Sequence, residues 1–301
     1  GNIGPVAALP VMEGKCALFK KFAGVDAFPI CLDTQDTEEI IKTVKYLAPV
    51  FGGINLEDIA APRCFTIERR LQMELDIPVM HDDQHGTAAV VLAALINALK
   101  LRGSDRSDIK VVISGAGAAG NAIARLLFGY GVKNIIACDR QGAIYVGRPD
   151  LDKEKADLAT FTNLGKQKGA LAEVLVGADV FIGVSSAGLL TREMVRTMAP
   201  KSLVFALANP VPEIMPDEAK AAGAFIVASG RSDFPNQINN VLIFPGVFRG
   251  ALDNKVRQIS DERLVKAAEN LAALVSVPRV DRILPEPFTP GIAAAVAAAI
   301  K

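Results

Sequence analysis

The stretch that decides the fold of this chain is VVISGAGAAGNAIARLLF, residues 111–128. Its first four residues are typical of a buried strand, Gly115, Gly117 and Gly120 form a G-x-G-x-x-G pattern, and residues 118–128 favour a helix. This strand–turn–helix order is the context in which the pattern binds dinucleotides, because the glycines let the backbone approach a pyrophosphate at the helix N-terminus. A glycine-rich turn without any ligand is the alternative interpretation.

The residues expected to contact a dinucleotide lie in this turn and at the end of the next predicted strand. They are Gly115, Gly117, Ala118, Ala119 and Gly120 for the pyrophosphate, and Asp139, 19 residues after Gly120, for the ribose hydroxyls. A carboxylate at Asp139 repels a 2′-phosphate and therefore favours NAD over NADP. Arg140 beside it could offset that repulsion, so both cofactors remain open.

Strands alternate with helices over most of the chain, which predicts an α/β fold. We expect a doubly wound parallel Rossmann-type sheet together with a smaller α/β domain and C-terminal helices. The predicted strands cover residues 27–32, 54–56, 77–80, 111–114, 134–138, 180–184, 203–207 and 225–228. The predicted helices cover residues 15–22, 65–75, 88–101, 118–128, 261–275 and 290–300, and Asp36 with Glu39 resembles a capping pair that opens one more.

The polar, turn-rich segment GSDRSD, residues 103–108, is the best candidate for a domain boundary. We therefore expect a catalytic and metal-binding α/β domain over residues 1–102 and a dinucleotide-binding domain over residues 103–250. Residues 251–301 are too few for a core of their own, so we expect a helical segment that packs back on the body of the protein.

The composition excludes several classes of protein. The 33 basic and 33 acidic residues cancel, so no net charge steers the chain toward nucleic acid or an anionic membrane. The four cysteines contain no C-x-x-C pair, which fits a reducing compartment. The most apolar stretch, residues 88–99, is too short to span a bilayer. We expect a soluble, cytoplasmic protein.

Two pairs of acidic residues follow predicted buried strands. Asp82 and Asp83 lie in PVMHDDQHGTA, residues 78–88, and Glu57 and Asp58 end GGINLED. Buried carboxylates need a positive partner or a metal, and hard oxygen ligands suit Mg²⁺ or Mn²⁺. Two solvated acidic turns that never meet are the alternative.

Several long motifs together resemble malic enzymes of the small bacterial type. They are GNIGP, PVMEGK, FGGINLEDI, PVMHDDQHGTA, SGAGAAG, LANPVPE and SGRSDFPNQINNVLIFPGVFRGAL, which extend from the first residue to about residue 252. The resemblance implies oxidative decarboxylation of L-malate to pyruvate and CO₂, with NAD(P)⁺ and Mg²⁺ or Mn²⁺ as cofactors. It also implies a homodimer or a higher homo-oligomer.

The same resemblance assigns roles to individual residues. It implies metal ligands at Glu57, Asp58 and Asp83, a catalytic lysine at Lys15, an aspartate paired with that lysine at Asp82, and asparagines that contact substrate or nicotinamide ribose at Asn209 and Asn240. A base is needed at the C2 hydroxyl of malate, and a neutral lysine could serve if a cation lowers its pKa. His81 and His85 are expected to make structural hydrogen bonds only.

One departure from the family concerns the proton donor. Family members have a tyrosine in a YTPGV-like segment that protonates enolpyruvate, and Tyr46, Tyr130 and Tyr145 do not lie in such a motif. Because residue 1 is Gly, we expect either that the sequence begins partway through a longer protein or that the tyrosine comes from another polypeptide. Two other functions stay open: a malolactic-type lyase, a relative with the same acidic site that yields lactate, and a non-catalytic dinucleotide-binding fragment, which the missing tyrosine motivates.

Overall fold

The structure is a computed structural model that describes residues 2–301. Its helices are α1 (Pro5–Ala23), α2 (Thr37–Leu47), α3 (Arg63–Glu74), α4 (Asp82–Arg102), α5 (Ala118–Tyr130), α6 (Lys153–Ala159), α7 (Leu171–Leu175), α8 (Arg192–Thr197), α9 (Pro216–Ala221), α10 (Phe244–Asp253), α11 (Asp261–Ala273) and α12 (Ile292–Ala297). Its strands are β1 (Ile54–Leu56), β2 (Val79–His81), β3 (Lys110–Ser114), β4 (Asn134–Asp139), β5 (Gly142–Ala143), β6 (Val180–Gly183), β7 (Leu203–Ala206) and β8 (Ile226–Ser229).

The chain forms two compact units, and both are discontinuous in sequence. The first unit comprises Gly1–Val90, Asn240–Leu271 and Glu286–Lys301, and the second comprises Val91–Asn239 and Ala272–Pro285. The sequence-based boundaries at residues 102 and 250 therefore differ from the observed division. The C-terminal segment, expected to pack back as one piece, is divided between the two units.

The second unit contains a six-stranded sheet in the order β5-β4-β3-β6-β7-β8. All neighbouring strands are parallel except the two-residue edge strand β5, which is antiparallel to β4. This order, which reverses between β3 and β6, is that of dinucleotide-binding folds. Every residue of β6, β7 and β8 is buried, as expected for parallel strands covered on both faces. The predicted doubly wound sheet is confirmed.

The first unit is built on a short parallel pair of strands, β1 and β2. Helices α2 and α3 pack on this pair through a core of aliphatic side chains. That core includes Ile40, Ile41 and Val44 from α2, Ile67 and Leu71 from α3, and Leu56 and Val79 from the strands. The pair of strands is thereby fixed, and with it the position of the residues that follow each strand.

The predicted N-terminus of α2 is confirmed, although only half of the capping pair forms. The Asp36 carboxylate accepts hydrogen bonds from the backbone N–H groups of Glu38 and Glu39, both at 2.9 Å. The Glu39 side chain accepts a hydrogen bond from the Thr34 hydroxyl, and the backbone N–H of Asp36 donates to that same hydroxyl. Asp36 is thus a one-sided helix cap.

Helix α4 begins earlier than the sequence pattern predicts. It starts at Asp82, directly after β2, so Asp82 and Asp83 lie in its first turn rather than before it. Acidic residues are favourable there because the N-terminus of a helix carries partial positive charge. Among residues 2–301, α4 is the one helix long and apolar enough to cross a membrane. However, 78% of its most apolar stretch is buried inside the protein, as in a core helix.

Two further predictions for the N-terminal region are wrong. Residues 27–32 form no strand, because no neighbouring strand pairs with them and Pro29 lacks a backbone donor. Helix α1 begins at Pro5 rather than at residue 15, with a proline at its first position, and it ends at Gly24 in the left-handed conformation. Its first half has no amphipathic pattern, which is why the sequence did not indicate it.

Candidate active site

The two predicted acidic turns meet in the first unit because of the register of β1 and β2. The strands are parallel, and Leu56 is opposite His81. The residues that follow, Glu57 and Asp82, therefore emerge side by side at the same edge of the sheet. The alternative of two separate solvated turns is excluded by this register, since Asp82 is fully buried.

Lys15 of α1 lies between these two carboxylates. Its Nζ donates to Asp82 Oδ2 in a very short contact, lies 2.8 Å from Glu57 Oε2, and sits 4.6 Å from the ring centroid of Phe244. Asn240 Nδ2 donates to the same Asp82 oxygen at 2.6 Å. The predicted pairing of Lys15 with Asp82 is therefore present in the structure, and Asn240 belongs to the same cluster.

Burial and mutual charge shift the pKa values of all three ionisable groups. Burial alone would lower the pKa of Lys15, but Asp82 and Glu57 outweigh it and raise that pKa to about 12. Burial, followed by the charges of Asp82 and Asp83, raises the pKa of Glu57 to about 8. Burial also raises the pKa of Asp82, against the opposing charge of Lys15. The chain by itself thus keeps Lys15 protonated, and a neutral Lys15 requires an added positive charge nearby.

The remaining predicted ligands, Asp58 and Asp83, adjoin this cluster without converging on one point. Asp83 Oδ2 accepts the backbone N–H of Asp58 at 3.0 Å, while the Asp58 carboxylate accepts the backbone N–H groups of Asn2 and Ile3 at 2.8 and 2.9 Å. Among residues 2–301 no three His, Cys, Asp or Glu side chains form a ready-made metal cage. The assignment of Glu57, Asp58 and Asp83 as ligands stays a prediction.

The chemistry of this donor set nevertheless fits a divalent cation. Glu57, Asp82 and Asp83 are three neighbouring carboxyl groups with the one positive charge of Lys15 among them, and burial together with the charges of Asp82 and Asp83 raises the pKa of Glu57. Asp82 Oδ1 is buried and has no hydrogen-bond partner among the described residues. Carboxylate oxygens in excess over cations are the donors that Mg²⁺ and Mn²⁺ bind.

Gly86 makes room for the buried Asp82 side chain. It lies one turn after Asp82 on α4, and a Cβ atom there would sit 1.8 Å from Asp82 Oδ1 and 3.3 Å from Asn240 Cβ. Any residue other than glycine would therefore displace the carboxylate that holds Lys15. The glycine of the sequence motif is explained by this close approach.

A buried carboxylate on α3, Glu68, was not predicted. Its Oε1 accepts the backbone N–H of His81 at 2.7 Å, and its Oε2 accepts Gln84 Nε2 at 2.9 Å. His85 Nε2 lies 3.0 Å from the same Oε2. His81 and His85 thus make hydrogen bonds inside the protein, as predicted. No local sequence signal indicates this role of Glu68, because its partners lie 13 to 17 residues away.

A cavity of about 570 Å³ opens beside the cluster within the first unit. Lys15, Asn55, Glu57 and Asp58 line it together with mostly apolar side chains. The Asn55 side chain donates to Glu57 Oε2 at 3.3 Å, and its own Oδ1 is buried with no partner among the described residues. Such a cavity is large enough for a small-molecule substrate.

The second unit carries the predicted dinucleotide turn at the end of β3. The turn precedes α5, whose N-cap is Gly117. A Cβ atom at Gly120 would lie 1.7 Å from the Gly115 carbonyl oxygen, so this position requires glycine for helix and strand to pack closely. Gly115, Gly117, Ala118, Ala119 and Gly120 therefore have the backbone arrangement that the pattern predicts.

Asp139 ends β4. Its carboxylate pairs with Arg148 and Lys155 rather than with Arg140, the neighbour that the sequence suggested. Arg148 contacts both of its oxygens, at 3.0 and 2.5 Å, and Lys155 Nζ lies 3.2 Å from Oδ2. Burial opposes ionisation, but hydrogen bonds from Arg148, the Gln141 N–H and Lys155 lower the pKa of Asp139. Arg140, which the sequence offered as a residue that could offset the carboxylate, is exposed.

Asn209 lies on the loop after β7, in the second unit. Asn209 is exposed. It lies close to Gly230, because a Cβ atom added at Gly230 would lie 3.0 Å from Asn209 Nδ2. The buried Glu213 carboxylate accepts the backbone N–H groups of Ser185 and Ala208 at 2.8 and 3.1 Å, and so ties this loop to the loop after β6. The contact of Asn209 with a cofactor stays a prediction.

Comparison with protein families accounts for nearly the whole chain. Residues 84–300 match the NAD binding domain of malic enzyme, and residues 1–72 match the N-terminal domain of malic enzyme. The chain belongs to the malic enzyme family. The resemblance seen in the sequence motifs is confirmed.

Similar proteins are themselves named malic enzymes. A bifunctional malic/malolactic enzyme of Bacillus subtilis is 59% identical over 100% of this chain and 74% of its own length. An NAD-dependent malic enzyme of Geobacillus stearothermophilus is 57% identical over 96% of this chain and 60% of its own length. The crystal structure of an NAD-dependent malic enzyme from Thermotoga maritima superposes with a TM-score of 0.96 and 51% identity, covering 100% of this chain and 80% of that one.

Proposed function

We propose that this chain catalyses the oxidative decarboxylation of L-malate to pyruvate and CO₂, coupled to reduction of NAD⁺ or NADP⁺. The observation that carries the proposal is the buried cluster of Lys15, Asp82 and Glu57 beside a cavity, in a chain that also has a dinucleotide-binding turn. Membership of the malic enzyme family supports this reaction over other uses of such a cluster.

Lys15 is the group that moves the proton of the substrate's C2 hydroxyl. Hydride cannot leave C2 unless the hydroxyl oxygen loses its proton, so a base must lie at that oxygen. In its neutral form Lys15 accepts this proton, and Asp82, whose carboxylate also accepts a hydrogen bond from Asn240, holds the resulting ammonium in place. Glu57 contacts the same Nζ, so a change in the charge at Glu57 changes how readily Lys15 releases its proton.

Glu57, Asp58 and Asp83 would hold Mg²⁺ or Mn²⁺. When bound, the cation would polarise the C2 oxygen and stabilise negative charge as CO₂ leaves. The dinucleotide, held by the turn from Gly115 to Gly120, would supply the hydride acceptor.

A malolactic-type reaction, which yields lactate with no net change in cofactor, is the second candidate. It uses the same proton chemistry at Lys15, and one relative of 59% identity is named for both activities. The two reactions differ in the fate of the reduced cofactor, so product analysis separates them.

The test is to incubate the chain with L-malate, Mn²⁺ and NAD⁺ or NADP⁺ and to assay reduced cofactor, pyruvate and lactate. Equal amounts of reduced cofactor and pyruvate support the malic reaction, and lactate without reduced cofactor supports the lyase. Lys15→Met should lower kcat by about 10²–10⁴-fold, the usual contribution of general acid–base catalysis. Lys20→Met, on the same helix with a side chain 63% exposed, is the matched control. Cofactor binding without any turnover would favour the non-catalytic alternative.

We also propose a cytoplasmic homodimer or higher oligomer. Helix α1 supports the oligomer, because Val6, Leu9 and Val11 leave 87%, 41% and 46% of their surface exposed. Apolar side chains grouped on one element commonly mark a contact with another protein. Light scattering that gives the mass of a single chain, 31.8 kDa, would contradict this proposal.

A further inference from the structure

A chain of buried polar side chains leads from α3 to the predicted metal ligand Asp83. Glu68 Oε2 accepts a hydrogen bond from Gln84 Nε2, and that same nitrogen lies 2.9 Å from His81 Nδ1. His81 is fully buried, and Glu68 and Gln84 are each 4% exposed. On the other side of the imidazole, Nε2 lies 3.5 Å from Asp83 Oδ2.

The hydrogen bonds from Gln84 to Glu68 and to His81 determine which ring nitrogen of His81 carries the proton. Glu68 is a carboxylate and accepts hydrogen bonds only, so the Gln84 amide must present its nitrogen to it. The second hydrogen of that nitrogen then faces His81 Nδ1, which must accept it. A neutral His81 consequently has its proton on Nε2, the nitrogen that faces Asp83.

The proton on Nε2 needs a partner that the protein does not otherwise provide. Nε2 is buried and has no well-formed hydrogen bond among the described residues, and an unpaired buried donor costs about 1–3 kcal/mol. Asp83 Oδ2 is a carboxylate oxygen within reach, and it already accepts the backbone N–H of Asp58. Both contacts fall on Oδ2, so Oδ1 of this 40% exposed side chain is left free of them and would be the oxygen available to a cation.

We propose that Gln84 is a positioning residue that fixes the Nε2–H tautomer of His81, and that His81 thereby orients the Asp83 carboxylate for a divalent cation. This inference rests on the proposed function, since Asp83 is one of its metal ligands. Hydrogen-bond donors to metal-binding carboxylates orient them, and losing such a donor costs about 10–100-fold in metal affinity or activity.

The first part of the test is spectroscopic and needs no turnover. The chain has only two histidines, so ¹⁵N-histidine labelling gives two ring systems, whose nitrogen shifts separate protonated from unprotonated positions. Wild-type His81 should carry its proton on Nε2. Gln84→Met removes the donor to Nδ1, so a second tautomer should appear.

The second part measures Mn²⁺ affinity by calorimetry in the same proteins. Gln84→Met should bind Mn²⁺ about tenfold more weakly or worse. Gln72→Met is the matched control, because Gln72 Nε2 donates to the Val79 carbonyl at 3.1 Å, on the strand that ends in His81. This control should leave both the tautomer and the Mn²⁺ affinity unchanged.

A second pair of variants decides the matter if Gln84→Met does not fold. His81→Gln keeps a donor toward Asp83, and His81→Leu removes it. The proposal expects His81→Leu to bind Mn²⁺ more weakly than His81→Gln, and equal affinities would overturn it.

Failure of this inference can be told apart from failure of the proposed function. A proton on Nδ1 in the wild type, or unchanged Mn²⁺ affinity in Gln84→Met, overturns the positioning role while the wild type still binds the metal. A wild type that binds no Mn²⁺ overturns both.

Discussion

Asp82 is the residue on which the catalytic cluster depends most. Its Oδ2 accepts hydrogen bonds from Lys15 and Asn240, whereas its buried Oδ1 has no partner among residues 2–301. A carboxylate in this situation is stable only while its positive partner stays in contact, because an unpaired buried charge costs several kcal/mol. Small displacements of Asp82 should therefore affect both stability and turnover.

Gly86→Ala is the smallest change that tests this dependence. The added methyl group would lie 1.8 Å from Asp82 Oδ1, so we expect a loss of about 1–3 kcal/mol in the free energy of unfolding, together with a fall in kcat. Gly129→Ala is the matched control, since Gly129 lies in helix α5 and, apart from the backbone of its own helix, no atom lies within 4 Å of its Cβ position. Urea unfolding and malate turnover of both variants give the answer, and equal behaviour would show that Asp82 tolerates displacement.

The sequence predicted part of this site and not its supporting residues. Glu57 and Asp82 could be placed together because both follow buried strands, and parallel strands end at one edge of a sheet. Glu68 could not be predicted, because its role depends on how α3 packs against the start of α4. Lys15 was indicated by the family resemblance alone, since Lys20 and Lys21 are equally plausible by pattern.

We expect the turn after β4 to determine how the chain discriminates between NAD and NADP. Asp139 carries the negative charge there, and Arg148 and Lys155 partly neutralise it. Removing the carboxylate would leave two cations near the place where we expect a 2′-phosphate to bind. We therefore expect Asp139→Ala to raise the ratio of kcat/KM for NADP over NAD, by about tenfold or more.

The control for this change is Arg140→Ala, because Arg140 is exposed and lies next to Asp139 in sequence. It should leave the ratio nearly unchanged. If Asp139→Ala does not move the ratio and Arg140→Ala does, then Arg140 determines cofactor preference.

The helices and strands of the second unit were predictable, and those near the N-terminus less so. β3, α5 and β4 end within two residues of their predicted positions, because glycines and apolar runs mark them locally. The start of α4 at Asp82 was missed, since its first turn is polar and its burial depends on Lys15 and Asn240 from distant parts of the chain. Residues 27–32 have strand composition but no partner strand.

At the scale of the whole molecule, no local sequence signal marks the boundaries between the two compact units. Residues Asn240–Leu271 and Glu286–Lys301 return to the first unit, whereas Ala272–Pro285 belong to the second. The turn-rich segment at 103–108 predicted a boundary, but membership of a unit is decided by tertiary packing. Asn254, for example, donates to the Ile300 carbonyl at 2.7 Å.

The measurement that tests the central claim most directly is a pair of calorimetric titrations, Mn²⁺ and NAD⁺, on the wild type and on Asp83→Asn. The claim is that one chain holds a divalent cation on the acidic cluster of its first unit and a dinucleotide on the turn of its second. We predict that the wild type binds both ligands, and that Asp83→Asn binds NAD⁺ unchanged but Mn²⁺ at least about tenfold more weakly. Unchanged Mn²⁺ affinity in Asp83→Asn would contradict the assignment of the cluster as the metal site.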